Sequence, residues 1–244
     1  MTGVWPPARA VGCETVAPDP AYGVFDTLLV RDGRPVDVEA HTERLTRSVL
    51  ELYGVHVGAA DLAARIAADV EPFAWARART TYDPRDPGWE IEATAIDAPG
   101  LDPRSVSVHR LAGGLGAHKW VDRSDVAAPA DADDVLLVDE HDVVLECGRA
   151  NVFVVLGDEV VTPPLDGRIL PGTVRARCLD ALRAAQGPVA ERPVTLADLA
   201  GATEVFTTSS IRGVQPVLAC ADGQVHVGRW LPGPVTARLR ELLE

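Results

Sequence analysis

Apolar positions recur along this chain in two registers, and the switches between them lay out its elements. Tyr22 to Val30 is apolar and β-favouring, with Arg31-Asp32-Gly33-Arg34 as the turn after it and Pro35-Val36 returning as a short second strand. From Val38 the spacing changes. Val38, His41, Leu45, Val49 and Leu52 recur at three- and four-residue steps, with Asp37 placed to cap the helix and Gly54 to close it. Leu62, Ile66 and Val70 predict a second helix from Asp61. Trp75 to Thr81, Glu90 to Ile96 and Arg104 to Arg110 read as strands, the first two separated by a loop at Asp83-Pro84-Arg85-Asp86-Pro87-Gly88.

The second half is richer in hairpins. Asp134 to Asp139 pairs with Val143 to Glu146, and Asn151 to Val155 with Glu159 to Thr162, through turns at Cys147 to Ala150 and Leu156 to Asp158. A helix from Thr173 to Gln186 puts Val174, Cys178, Leu182 and Ala185 on one face. A short helix over Thr195 to Ala200, strands at Glu204 to Thr208 and Val217 to Val225, and a terminal helix with Val235, Leu239 and Leu242 complete the chain. Between the halves runs Leu111-Ala112-Gly113-Gly114-Leu115-Gly116-Ala117. It lacks both GxGxxG spacing and a following Lys-Ser/Thr, so it reads as a flexible connection rather than a phosphate loop. The segment Ser124 to Ala130 reads as a helical or irregular bridge. The expected organisation is a small α/β N-terminal domain over 1–110, an interdomain loop over 111–118 and a larger domain over 119–244.

Composition narrows the chemistry. Forty-seven per cent hydrophobic residues suffice for a packed core, and a net charge of −13 speaks against nucleic-acid or anionic-membrane surfaces. No apolar run spans a membrane, and the N-terminus lacks a secretory layout, so a cytoplasmic location is expected. Four scattered cysteines and six histidines without paired spacing predict no disulfide framework and no metal centre. Among 23 basic residues a single lysine occurs, Lys119. Where only a positive charge is wanted, arginine serves. A lysine can also lose its proton and attack a carbonyl, the basis of Schiff-base chemistry. An ordinary surface lysine is the competing reading.

Three other features bear on this. Glu146 ends a strand in an apolar run, either facing solvent or held for a purpose. His41 and Arg44 sit three residues apart on the first helix, a spacing that suits a surface pair. The N-terminus of the Thr173 helix and the loop Ser209-Ser210-Ile211-Arg212-Gly213 could each hold a phosphate, or be ordinary capping and turn chemistry.

Four segments in order carry a resemblance: Gly23-Val24-Phe25-Asp26-Thr27-Leu28; His41-x-x-Arg44-Leu45; Leu145-Glu146 with Asn151-Val152-Phe153; and Thr162-Pro163-Pro164 through Leu170-Pro171-Gly172-Thr173-Val174-Arg175. Together, over about residues 20 to 220, they resemble the class IV aminotransferases, the fold-type IV group of pyridoxal-phosphate enzymes. The resemblance implies a two-domain α+β (α/β) fold like that of D-amino-acid aminotransferase, with the cofactor between the domains, and a homodimer. It implies that Lys119 bonds to pyridoxal 5'-phosphate and that Glu146 faces the pyridine nitrogen. Arg44 would hold the phosphate with Thr173, Val174, Ser210 and Ile211.

Within the family, Lys119-Trp120-Val121-Asp122-Arg123 and Glu146-Cys147-x-x-Ala150-Asn151 look most like the aminodeoxychorismate lyases of the folate route. That implies Arg123 for a substrate carboxylate and Phe25 and Thr27 for the pocket wall; the competing reading of Arg123 is a structural ion pair with Asp122 or a neighbour. Two departures stand out: Asp122 where many lyases carry Asn, and Thr80-Thr81-Tyr82 in place of the family's Arg-Gly after the third strand. A class IV transaminase of branched-chain, D- or other amino acids and a non-catalytic relative are the alternatives.

Overall fold

The computed structural model of the chain describes residues 18–123 and 126–243. The first strand signal becomes β1 (Val24–Arg31), followed by the two-residue β2 (Arg34–Pro35). β1 pairs antiparallel with β3 (Trp75–Tyr82), and β3 with β4 (Trp89–Ala95), in the sheet order β2-β1-β3-β4. Helices α1 (Val38–Tyr53) and α2 (Ala59–Val70) cover one face. Side chains alternate across a strand. Val24, Leu28 and Val30 of β1 and Ala76, Ala78 and Tyr82 of β3 therefore meet Leu45, Val49, Leu62 and Ile66 in one core. The opposite parity, Phe25 and Thr27 with Arg77 and Arg79, lines a cavity.

Asp37 stands at the N-cap position of α1 but does not cap it. Its backbone is left-handed (φ 53°), outside the extended region from which a cap reaches the first amides, and no side-chain cap bond forms. Its carboxylate instead meets Arg177 at 2.9 Å.

The larger unit is a curled sheet. Its strands are β5 (Arg104–Arg110), β6 (Asp134–Val138), β7 (Val143–Cys147), β8 (Asn151–Leu156), β9 (Glu159–Thr162), β10 (Val189–Glu191), β11 (Val194–Thr195), β12 (Glu204–Ser209), β13 (Gly213–Asp222) and β14 (Val225–Arg229). The order is β10-β9-β8-β12-β13-β5-β6-β7-β11, with β14 on β13. Helices α3 (Thr173–Ala184), α4 (Leu196–Gly201) and α5 (Pro234–Leu243) complete it. The period of two sorts its side chains. Val152, Val154, Leu136 and Val138 point into the curl. Phe153 and Val155 meet α3 and α5 outside it, and Val135 and Leu137 pack under the 111–115 loop.

Chain order and spatial order part company at two places. β5, within the 1–110 segment, pairs parallel with β6 and β13 of the larger sheet. Lys119 and Val121, beyond the connecting loop, return to the small sheet: Phe25 N donates to Lys119 O (2.9 Å), Val121 N to Gly23 O (3.1 Å), and Trp120 bridges Val24. The glycine-rich loop packs against protein at Gly114, while its Leu115 lines a cavity between the two units. Gly114 lies at φ +66° and a Cβ there would strike the Arg168 carbonyl. Of the bridge expected over Ser124 to Ala130, residues 124 and 125 lie outside the described residues, as does Cys13.

Candidate active site

Lys119 leaves the edge of β1 and lines the cavity between the two sheets, in company with Arg44, Glu146, Thr173, Val174 and Ser210. Burial pushes its amine down to about 8, helped by the positive charge of Arg44 and opposed by Asp26 and Glu146. Half-buried and lining a cavity beside Arg44 and Glu146, Lys119 is not placed as an ordinary surface lysine. Roughly a tenth of such amines are unprotonated at pH 7.

Glu146 reaches the same space through a bulge. Leu136 is paired with Cys147 and Val138 with Val144, so Leu145 and Glu146 together oppose Leu137. The extra residue turns Glu146 from the inside of the curl, where Val144 points, towards the outer face. It is 4% exposed, and one oxygen accepts from Leu170 N (3.2 Å) and Asn151 Nδ2 (3.3 Å). Burial pushes its carboxyl up to about 8, against the pull of that amide, Arg123, Lys119 and Arg44. The solvent-facing reading of Glu146 is excluded.

His41 and Arg44 are likewise buried, not a surface pair. Both meet Asp26, an acid on the apolar face of β1. Arg44 donates through Nε (2.9 Å) and Nη2 (2.8 Å) to its two oxygens, and His41 Nδ1 lies 2.8 Å from Oδ1. Burial pushes the Asp26 carboxyl up, but Arg44 and His41 together hold it well below the usual carboxylate range. Because a carboxylate only accepts, Nδ1 carries the proton, and a neutral ring then accepts at Nε2 from Thr173 Oγ1 (3.3 Å). Arg44 Nη1 donates to Pro171 O (3.0 Å). These bonds engage three of its five N–H groups, leaving two for a ligand.

The N-terminus of α3 completes this end. Gly172, its N-cap, makes no side-chain bond, and the first intrahelical backbone bond runs from Ala176 N to Gly172 O. The amides of Thr173 and Val174 precede that bond beside the cavity, at the positive end of the helix dipole. Thr208 Oγ1, also on the cavity wall, is buried without a partner among the described residues. An orphaned hydroxyl beside open amides and a half-used guanidinium suits a phosphate-bearing group. Ser210 lines this cavity, whereas Ile211 borders the wider space next to it.

That wider space, about 700 Å³, shares Lys119, Arg123 and Ser210 with the first and extends past Phe25 and Thr27. The Phe25 ring is ringed by cations: Arg79 at 3.8 Å from its centroid, Lys119 at 5.3 Å and Arg123 at 5.9 Å. Arg123 donates to Gly148 O rather than pairing with Asp122. Asp26, Thr208, Arg77, Arg79 and Arg149 escaped the sequence reading. Asp26 alone left a legible signal, an acid in the apolar register of a strand beside a helix carrying His and Arg. Among the described residues no His/Cys/Asp/Glu cluster could hold a metal, and no helix is long and apolar enough to cross a membrane.

Residues 119–220 match the family model described as amino-transferase class IV. Branched-chain-amino-acid transaminase 1 of Bacillus subtilis is 38% identical over 121 residues, 46% of this chain and 34% of that protein. The chain spans well under half the length of the curated relatives it matches. Among solved structures, 4-amino-4-deoxychorismate lyase from Pseudomonas aeruginosa superposes with a TM-score of 0.76 at 24% identity, over 97% of this chain and 95% of that one. An aminotransferase from Brucella abortus, solved with the cofactor PLP bound, gives 0.77 at 23%, over 98% and 93%. Both likenesses show the fold.

Proposed function

We propose that this chain, a member of the class IV aminotransferases through its residues 119–220, is a pyridoxal-phosphate lyase that converts 4-amino-4-deoxychorismate to 4-aminobenzoate and pyruvate. The observation that carries the reading is the meeting of Lys119, Glu146 and Arg44 in one cavity lined by α1, the segment at Lys119 and the larger sheet. Pyridoxal phosphate, when bound, supplies an electron-withdrawing ring that stabilises a carbanion at the α-carbon of an amine substrate. Lys119 would hold it covalently, Glu146 would face its ring nitrogen, and Arg44, Thr173, Val174, Ser210 and Ile211 would hold its phosphate, with Thr208 beside them.

The residues are suited to those tasks. With an amine near 8, Lys119 is a nucleophile at neutral pH and can afterwards carry a proton at Nζ. Glu146, also near 8, holds a proton that it can share with a basic nitrogen. Asp26 fixes the direction of Arg44, leaving its free edge towards the cavity. Phe25, Thr27 and Arg123 form the substrate side.

The end-to-end structural likeness extends to the Pseudomonas lyase and the Brucella aminotransferase alike; the Lys119-Trp120-Val121-Asp122-Arg123 run and Glu146-Cys147-x-x-Ala150-Asn151 support the lyase reading. The naming of the curated relatives favours a second one, a class IV transaminase of branched-chain or similar amino acids. The proposal includes a homodimer working in the cytoplasm on a folate route. One paired assay tests it. The lyase forms 4-aminobenzoate from aminodeoxychorismate with no keto-acid acceptor present. Amino transfer to 2-oxoglutarate without any 4-aminobenzoate decides for the transaminase. A non-catalytic relative would show no visible band that borohydride bleaches and Lys119→Ala removes.

A further inference from the structure

Eleven arginines of this acidic chain are held in ion pairs with carboxylates among the described residues. Arg77, Arg79, Arg123 and Arg149 have no such pair, and all four line the same cavity. With 36 acids against 23 bases, carboxylate partners are not scarce, so four unpaired guanidinium groups in one place call for a reason. Arg77 repels Arg79, and Arg79 and Arg149 both repel Arg123, although Glu92 attracts Arg79 and Glu146 and Asp134 attract Arg123 more strongly. Four guanidinium groups with no carboxylate in ion-pair contact, lining one cavity, keep their N–H groups available to an anionic ligand.

The acids nearby make no ion pair with these four groups. Asp134 accepts from the backbone amides of Val135 (2.9 Å) and Arg149 (3.2 Å). Asp133 accepts from Ser105 and faces Arg104 at 3.8 Å. Glu92 stands directly opposite Arg79 across the β3–β4 pair and Glu90 opposite Thr81; both attract the Arg79 guanidinium, and neither closes to an ion pair with it. The four heads fall into two pairs by origin. Arg77 and Arg79 stand two residues apart on the cavity face of β3, while Arg123 and Arg149 come from the segments after Lys119 and after β7.

We propose that the cavity beyond Phe25 is a two-anion subsite, with Arg77 and Arg79 taking one carboxylate and Arg123 and Arg149 another, so that the enzyme selects dicarboxylic substrates over monocarboxylic ones. This rests on the reading of the cavity as an active site and deepens it. Guanidinium pairs suit carboxylates because each fork offers two parallel N–H groups. A branched-chain amino acid would satisfy one pair and leave the other facing an apolar side chain. A ring acid bearing a second carboxylate engages both.

The probes are isophthalate and benzoate, which differ by one carboxylate on the same ring, titrated calorimetrically into the purified protein as isolated. Isophthalate is expected to bind at least tenfold more tightly, with a preference that shrinks as salt rises. Arg77→Gln and Arg149→Gln, both at exposed positions that leave the fold intact, should each cut the preference fivefold or more. Arg65→Gln on α2, remote from the cavity, should leave it unchanged. Equal affinities for the two acids, or a preference untouched in both cavity variants, would overturn the proposal. Loss of the borohydride-sensitive band with the preference retained would instead sink the cofactor reading and leave the subsite standing.

Discussion

Glu146 and Lys119 are displaced from their usual ionisation ranges by the same burial, and this makes the ligand-free protein sensitive to pH in a defined way. The folded carboxyl titrates near 8, against 4.5 for an unperturbed glutamate. Between those values the folded state binds more protons than the unfolded one, so stability falls as pH rises. Lys119 acts in the opposite sense from about 8 to 10.5, where the unfolded chain holds the extra proton and stability recovers. Glu146→Gln should therefore raise the melting temperature of the ligand-free protein at pH 8 and change it little at pH 5. A difference that stays constant across that range in thermal melts would contradict the burial argument. Asp26 makes a second residue-level test. Asp26→Ala leaves the buried Arg44 without its carboxylate and should cost about 3 kcal/mol, read from urea unfolding. The acid in the apolar register of β1 was legible, but its pairing with Arg44 was not, because the two meet only when α1 lies across β1.

At the scale of elements, the site depends on where secondary structure starts and stops. The N-terminus of α3 comes close to Asn151 because Gly172 has no side chain; a Cβ there would strike the asparagine, which also bonds Glu146 and Leu170 O. Gly172→Ala should weaken pyridoxal-phosphate binding roughly tenfold and cost about 1–3 kcal/mol as overpacking, measured by absorbance titration and thermal melts. On α5, Glu204 accepts from Val235 N, Thr236 N and Thr236 Oγ1 and so fixes the start of the helix. Glu204→Ala should destabilise by about 1–3 kcal/mol through unmet amides while leaving the absorbance band intact. The helices and most strands were legible because apolar periodicity reports burial on one face. β10 and β11, of three and two residues, are too short to show a period. The bulge in β7 was invisible for another reason: register against a partner strand is not a property of one strand's sequence.

For the whole molecule, the cavity is lined by α1, the segment at Lys119 and the larger sheet, and a ligand there should stabilise the two units together. Saturating pyridoxal phosphate at about a hundred times its dissociation constant adds roughly 2.7 kcal/mol, and one thermal transition should shift as a unit. Two transitions of which only one moves would argue that the two units do not share the site. The chain's own sequence determined its elements, the singularity of Lys119 and the ordered motifs around it, because periodicity and residue chemistry are local. Tertiary structure alone decided which of those residues face one cavity. It carried β5 into the larger sheet and Lys119 back to the smaller one, swung Asp37 from cap to ion pair, and brought four arginines without a carboxylate ion pair to the cavity beyond Phe25. Each of these is a contact across long loops, and such contacts are chosen by how whole faces pack, which no local stretch of residues records.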